Sequence, residues 1–315
     1  MADPVPHDIR VLADERARAR RAHDWATADR LKGELDAAGW RVIDAATLYS
    51  LEPKTPAVVE VDGEVRYGTS EGVPSRLEEP ADAPATVVLV ADDRAGLLPG
   101  AVSALRSASP HAQIVVVADA PNEKVEAEVA ALEGVEVVRL AGRLGAAGAR
   151  NAGIRRAAGT VVVLLDPRVV AGGDIVGPLA AALDDPTVGV AGLGGLATED
   201  LVRFEPAAAG APVVVAVDLV GMAFRRADYA TRGPLDEHFT HEPYLAVWWS
   251  LVLRDVPDDA VFGVDLPGRA VVVAAPFDLR GEPAPAPDDR LAKKHRYRFL
   301  KWFATRRDLL VAPAG

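Results

Sequence analysis

Four acids stand where apolar runs give out. "TVVVLLDPRVV" (160–170) carries Asp166 and, two positions on, Arg168; "VVVADAPN" (115–122) carries Asp119; "VVLVADDR" (87–94) carries Asp92 and Asp93. A carboxylate accepts hydrogen bonds from N–H and O–H groups and ligates hard cations, whereas a guanidinium offers a fork of donors that matches phosphate oxygens. One carboxylate beside a permanent cation makes a poor cage for a divalent metal, because the guanidinium repels it. Asp166-Pro167-Arg168 is therefore compatible with two arrangements: Arg168 faces an anionic ligand, or it turns to solvent or to Asp166 and leaves the motif inert. Further on, "GRLGAAGARNAGIRR" (142–156) sets Gly145 and Gly148 ahead of Arg150 and Asn151, and glycines there permit close backbone approach. In "PLDEHFTHEPYLAVWW" (234–249), Asp236, His241 and Glu242 are groups able to take a proton. Each acid has a plainer reading as the cap of the turn or helix that follows it.

These residues need a scaffold that gathers strand ends. Continuous apolar strands are expected at 86–90, 113–117, 135–140 and 160–165, separated by helices near 99–107, 123–132 and 146–157. Strand, crossover and strand in succession imply an α/β fold with a mostly parallel sheet flanked by helices, a Rossmann-like nucleotide-binding core. Ligands of such sheets sit beyond the carboxyl ends of the strands, where strand order reverses. The acids occupy those ends.

Upstream the texture changes. Residues 8–23 are charged and Ala-rich, Asp24 is set to cap a second helix with apolar Trp25, Ala28, Leu31, Leu35 and Ala38, and Gly39 supplies a left-handed stop. A two-helix hairpin is expected over residues 1–55. "AVVEVDGEVRYG" has two alternating runs about Asp62-Gly63, which suits a type I′ turn and predicts a small β-hairpin. The Pro- and Glu-rich stretch of 69–84 reads as a linker. The expected organisation is helical hairpin 1–55, β-hairpin and linker 56–84, α/β domain 85–280, and a basic C-terminal helix 281–315.

The chain has no cysteine, which excludes disulfides and thiolate metal sites, and its formal net charge of -11 argues against a broad nucleic-acid face. No apolar run is long enough to span a membrane, and the first ten residues lack the basic start and apolar middle of a secretion signal. A cytoplasmic location and a small-molecule partner are expected.

Taken together, "IVVVADAPN", "VVRLAGRLGAAGARNAGIRRAAGTVVVLLDPRV" and "VGMAFRRADYATRGPLDEHF" resemble, in order and spacing, a family-2 glycosyltransferase of the GT-A fold over about residues 85–255. The resemblance implies a nucleotide-diphosphate sugar as ligand, with Asp92, Asp119, Arg150, Asn151, Asp166 and Arg168 around the nucleotide. It also implies magnesium or manganese at Asp-x-Asp, which Arg168 disfavours here. A base cluster is implied at the start of a late helix, where this chain has Leu245, Ala246, Val247 and Trp248, leaving Glu242, His241 and Asp236 as the nearest substitutes. An inverting transferase with degenerate motifs is one expectation; a non-catalytic nucleotide-sugar sensor or scaffold is the other. Separately, "ERARARRAHDWATADRLKGELDAAGWRVID" is similar to the terminal helical segment of bacterial cysteinyl-tRNA synthetases, which raises tRNA as a further partner through the arginines of residues 16–21.

Overall fold

The computed structural model describes residues 5–45, 48–255, 268–283, 285–286 and 288–310. Contacts group the chain into two units, Met1–Ala57 and Val58–Gly315.

In the first unit, α1 (His7–Arg21) and α2 (Trp25–Ala37) form the expected hairpin, with the Asp24 carboxylate accepting from the Thr27 N–H at 3.1 Å and Gly39 at φ 80°. The sequence reading stopped there, but β1 (Trp40–Ala45) and β2 (Leu48–Pro53) follow as an antiparallel hairpin. Trp40, Val42, Tyr49 and Leu51 pack on a small core of Ile9, Ala13 and Leu35. Two helices alone would leave that apolar stripe wet. Arg16, buried at the centre, makes two 2.8 Å bonds to Asp44 of β1 and holds its carboxyl below the usual carboxylate range.

The second unit opens with the predicted hairpin, β3 (Val58–Val61) and β4 (Glu64–Tyr67), turning through Asp62 and Gly63, both at positive φ. Residues 69–84 are not a free linker. Val73 lies in the main core and Ser70 is buried, while the segment's carbonyls are taken by arginines: Arg155 Nε to Val73 at 2.7 Å, Arg156 to Pro74 at 2.8 Å and Arg226 to Glu79 at 2.8 Å. Guanidinium donors supplement the few bonds the segment makes to itself, such as Val73 N–H to Ser70 O at 3.1 Å.

From Ala83 the strands and helices alternate: β5 (Ala83–Ala91), α3 (Leu98–Ala108), β6 (Gln113–Ala118), α4 (Glu123–Ala130), β7 (Glu136–Arg139), α5 (Gly145–Ile154) and β8 (Gly159–Leu165). Then come β9 (Val169–Ala171), α6 (Val176–Ala182), β10 (Val188–Gly192), β11 (Gly195–Ala197), β12 (Glu205–Pro206), β13 (Val213–Val214), β14 (Ala216–Val217) and β15 (Gly221–Arg225). The unit closes with α7 (Arg226–Arg232), α8 (Glu242–Arg254), β16 (Arg269–Val272), β17 (Phe277–Leu279) and α9 (Asp289–Phe303). The main sheet runs β13-β16-β10-β15-β8-β5-β6-β7, with β7, β6, β5 and β8 mutually parallel and β15 antiparallel to β8. Chain order steps outward from β5 through β6 to β7, then returns to β8 on the other side of β5. The order thus reverses at β5, so the ends of β5 and β8 flank the crevice.

Side chains alternate between two cores, as a sheet covered on both faces requires. Val88, Val115, Val117, Val162 and Leu164 meet α5 and α8 on one face. Val87, Leu89, Val116, Val163 and Leu165 meet α3, α4 and α6 on the other. Among the described residues, no helix is long and apolar enough to cross a membrane. The predicted C-terminal helix is α9, and residues 311–315 of that stretch lie outside the described residues.

Candidate functional site

A cavity of about 720 Å³ opens at the carboxyl ends of β5, β6 and β8, and Asp92, Asp119, Asp166 and Arg168 all line it. Arg143, Arg150, Asp218 and Glu242 join them. The size suits one ligand with several polar groups.

Asp166 ends β8 and is buried. Its carboxylate accepts from the Arg168 N–H at 2.8 Å, from Nε at 3.0 Å and from Nη2 at 2.9 Å, while Arg94 Nη1 stands 3.8 Å away. Of the two arrangements open to Arg168, pairing with Asp166 is the one observed, yet the side chain still faces the cavity. A divalent cation does not fit this arrangement: the carboxylate is engaged by one arginine and approached by a second, whose Nη1 is buried without a hydrogen-bond partner. No group of three or more His, Cys, Asp or Glu capable of holding a metal occurs among the described residues. Asp218, just before β15, lines the same wall; burial pushes its carboxyl up, Asp166 adds to the rise and Arg168 opposes it.

Asp119 ends β6. Its oxygens accept from the backbone N–H of Leu144 at 2.7 Å and of Gly145 at 3.2 Å. Burial raises its pKa, and those two N–H groups, then Arg143 and Arg150, offset the rise. The carboxylate thus anchors the turn into α5 while facing the cavity. Gly145 lines the cavity at φ 76°, and a Cβ there would meet Thr240 at 3.3 Å. Gly148 is absent from the lining; its missing side chain makes room for Leu144, which a Cβ would meet at 2.7 Å. The expected close approach at Gly148 is therefore of chain to chain. Asp92 lines the cavity and accepts from Arg94 Nε at 2.8 Å, whereas Asp93 holds the Asn122 N–H at 2.8 Å outside it.

Arg150, buried on α5, donates to the Ala146 carbonyl at 3.0 Å and to Glu242 at the first turn of α8. Asn151, its neighbour, does not line the cavity. Its Oδ1 accepts from Tyr229 O–H and the Leu235 N–H, both at 2.9 Å, and its Nδ2 donates to Leu235 O at 2.9 Å and Glu237 at 3.0 Å. Four bonds occupy the amide, so Asn151, expected at the nucleotide, has every donor and acceptor engaged by its neighbours in this arrangement. Asp236, expected as a substitute base, is not among the residues lining the cavity; it is bonded to His238 at 2.9 Å and paired with Arg298 of α9. Glu242 and His241 do line it, with Ala246 and Val247 one turn on. Trp248 and Trp249 are buried in the core.

Sequence reasoning missed Asp218, Arg94 and Arg143. Asp218 had a signal, a lone acid inside "VVVAVDLVG".

Residues 86–210 match the family model described as glycosyl transferase family 2. Among solved structures the chain is similar to GalNAc-T7 with UDP, GalNAc and Mn2+, at 16% identity and TM-score 0.54, covering 77% of this chain and 50% of that one. At that identity the likeness shows a shared GT-A fold, and the chain spans half the length of the structure it matches. Among curated proteins, the cysteine–tRNA ligase of Opitutus terrae is 49% identical over 49 residues, 16% of this chain and 11% of the ligase. Cysteine–tRNA ligase 1 of Burkholderia lata is 54% identical over 44 residues, 14% of this chain and 9% of the ligase. The chain spans about a tenth of those relatives, at the segment where the N-terminal resemblance lies.

Proposed function

We propose that the α/β domain of residues 85–280 binds a nucleoside-diphosphate sugar without a divalent cation, with Arg168 exchanging its contact to Asp166 for the diphosphate. The observation that carries this reading is the meeting of Asp119, Asp166 and Arg168 in one cavity at the point where strand order reverses. Arg143, Arg150 and Arg168 bring three guanidiniums to that cavity, which is suitable compensation for a diphosphate. In an inverting transfer, Glu242 is the carboxylate within the cavity assigned to take the acceptor's proton. The acceptor is left open, and a cytoplasmic location suits such a donor.

A second reading, a nucleotide-sugar sensor or scaffold that does not transfer, is favoured by one observation: Glu242 is engaged by Arg150, and the next helical turn offers only Ala246 and Val247. Calorimetric titration of UDP, GDP and their sugar conjugates, with manganese and again with EDTA, tests binding. Affinity is expected to be indifferent to chelator and to fall about 10- to 100-fold in Arg168→Ala, the scale of charge-assisted hydrogen bonds. Strong manganese dependence would refute the reading. Release of sugar from the bound donor, lost in Glu242→Gln with binding kept, separates transferase from sensor.

A further inference from the structure

We propose that the outer face of α9 is a docking surface for an anionic lipid bilayer. The inference is independent of the nucleotide reading. Between Arg290 and Arg307 the chain carries eight Arg or Lys and no Asp or Glu, in a molecule of net charge -11. Three of its six lysines, Lys293, Lys294 and Lys301, fall there.

The helix divides its residues sharply. His295, Phe299 and Phe303, four apart, are buried against the core. The opposite face carries Arg290, Lys293, Lys294, Tyr297 and Lys301, and helical spacing centres that stripe on Tyr297. Arg298 and Arg306 are paired with Asp236 and with Asp255 and Asp308, but Arg290, Lys293, Lys294, Arg296, Lys301 and Arg307 form no ion pair with described residues. Most arginines nearer the cavity are paired, whereas Arg290, Lys293, Lys294 and Lys301 share the outward face of α9 with Tyr297 and form no ion pair with described residues. Tyr297 is 66% exposed, with Lys293 over its ring at 6.0 Å; Trp302, though exposed, lies about 140° round the helix from it, off the stripe.

Lysine-rich charge with an exposed Tyr at its centre is the combination that settles at a headgroup layer: ammonium groups reach lipid phosphates while the amphipathic ring lies at the interface. A single outward stripe on a helix of 15 residues, about 22 Å long, meets a plane along its whole length. Nucleic acid is less well matched, because the stripe is convex and three of its four cations are lysines rather than the planar forks that read bases or clamp phosphates. Pro283, Pro285 and Ala286, just ahead of α9, line the cavity. A bilayer on the stripe would thus lie beside the cavity's edge.

Vesicle co-sedimentation of the full chain tests the assignment, using phosphatidylcholine vesicles with and without phosphatidylglycerol. Binding is expected only with phosphatidylglycerol, falling as salt is raised. Lys293→Gln with Lys294→Gln should lower the partition coefficient about 10- to 30-fold, given the usual strength of a surface lysine. Tyr297→Ser should weaken binding in a salt-independent way. All three side chains are exposed, and circular dichroism checks that each variant keeps its helix content. Absence of binding to phosphatidylglycerol vesicles, wild-type binding by the Gln variant, or tighter binding to tRNA or duplex DNA than to vesicles at equal salt would overturn it.

Discussion

Asp166 and Asn151 show how the same local setting gives two kinds of residue. Both follow or adjoin a buried element, yet Asp166 keeps its carboxylate on the cavity wall bonded to Arg168, two residues on, whereas Asn151 spends every donor and acceptor on neighbours 78 to 86 residues away. Replacing Asn151 by Ala strands the Tyr229 hydroxyl and both backbone groups of Leu235 in the core. Each buried group left unpaired costs about 1–3 kcal/mol, so chemical denaturation should register a loss of at least about 2 kcal/mol. Nucleotide affinity per folded molecule should stay unchanged; a large loss of affinity without loss of stability would return Asn151 to the ligand. Asp119 and Asp166 were legible in the sequence because each closes a β-branched run. The engagement of Asn151 was not, because its partners lie in and beyond α7, where no local pattern announces them. The pairing of Asp236 was hidden for the same reason, its partner Arg298 lying 62 residues on.

At the scale of elements, periodicity was a good guide wherever one residue run makes its own hydrogen bonds or pairs with a like run. The strands at 86–90, 113–117 and 160–165 and the capped α2 were read close to their observed limits. The packing of the 69–84 segment was not legible, because it is supplied by arginines just after α5 and at the start of α7. Packing between β5 and β8 rests on a detail that sequence does not reveal: a Cβ at Gly159 would come within 2.3 Å of the Ala85 carbonyl carbon and 2.5 Å of the Thr86 nitrogen, both backbone. Since backbone cannot step aside, Gly159→Ala is expected to destabilise the domain by about 1–3 kcal/mol, a fall of several degrees in Tm. Gly100→Ala in the first turn of α3 has nothing within 4 Å of its new methyl and should hold or raise Tm, because alanine has less backbone freedom to lose on folding than glycine. Equal Tm values for the two variants would show that β5 and β8 separate more easily than their contact implies.

At the scale of the whole molecule, the two units hold separate cores of very different size. Val58–Gly315 has two large clusters on either side of an eight-stranded sheet; Met1–Ala57 has Ile9, Ala13 and Leu35 with a rim of half-buried residues and the Arg16–Asp44 pair. Sequence texture set the helical part at 1–55 and placed β3 and β4 in a piece of their own at 56–84, while contacts group the chain as Met1–Ala57 and Val58–Gly315. In the structure β4 reaches the parallel sheet through a Tyr67–Leu140 bridge, which ties that hairpin to the second unit. Every described residue lining the cavity comes from Val58–Gly315. A chain beginning at Val58 should therefore fold and bind nucleotide sugar with a Kd within about twofold of the full chain, since sites without shared partners add independently. Residues 1–57 alone are near the lower size for a stable core and should unfold at lower denaturant than the remainder. Calorimetry on the truncated and full chains decides the matter: loss of binding on truncation would mean that the N-terminal unit contributes to the nucleotide site itself.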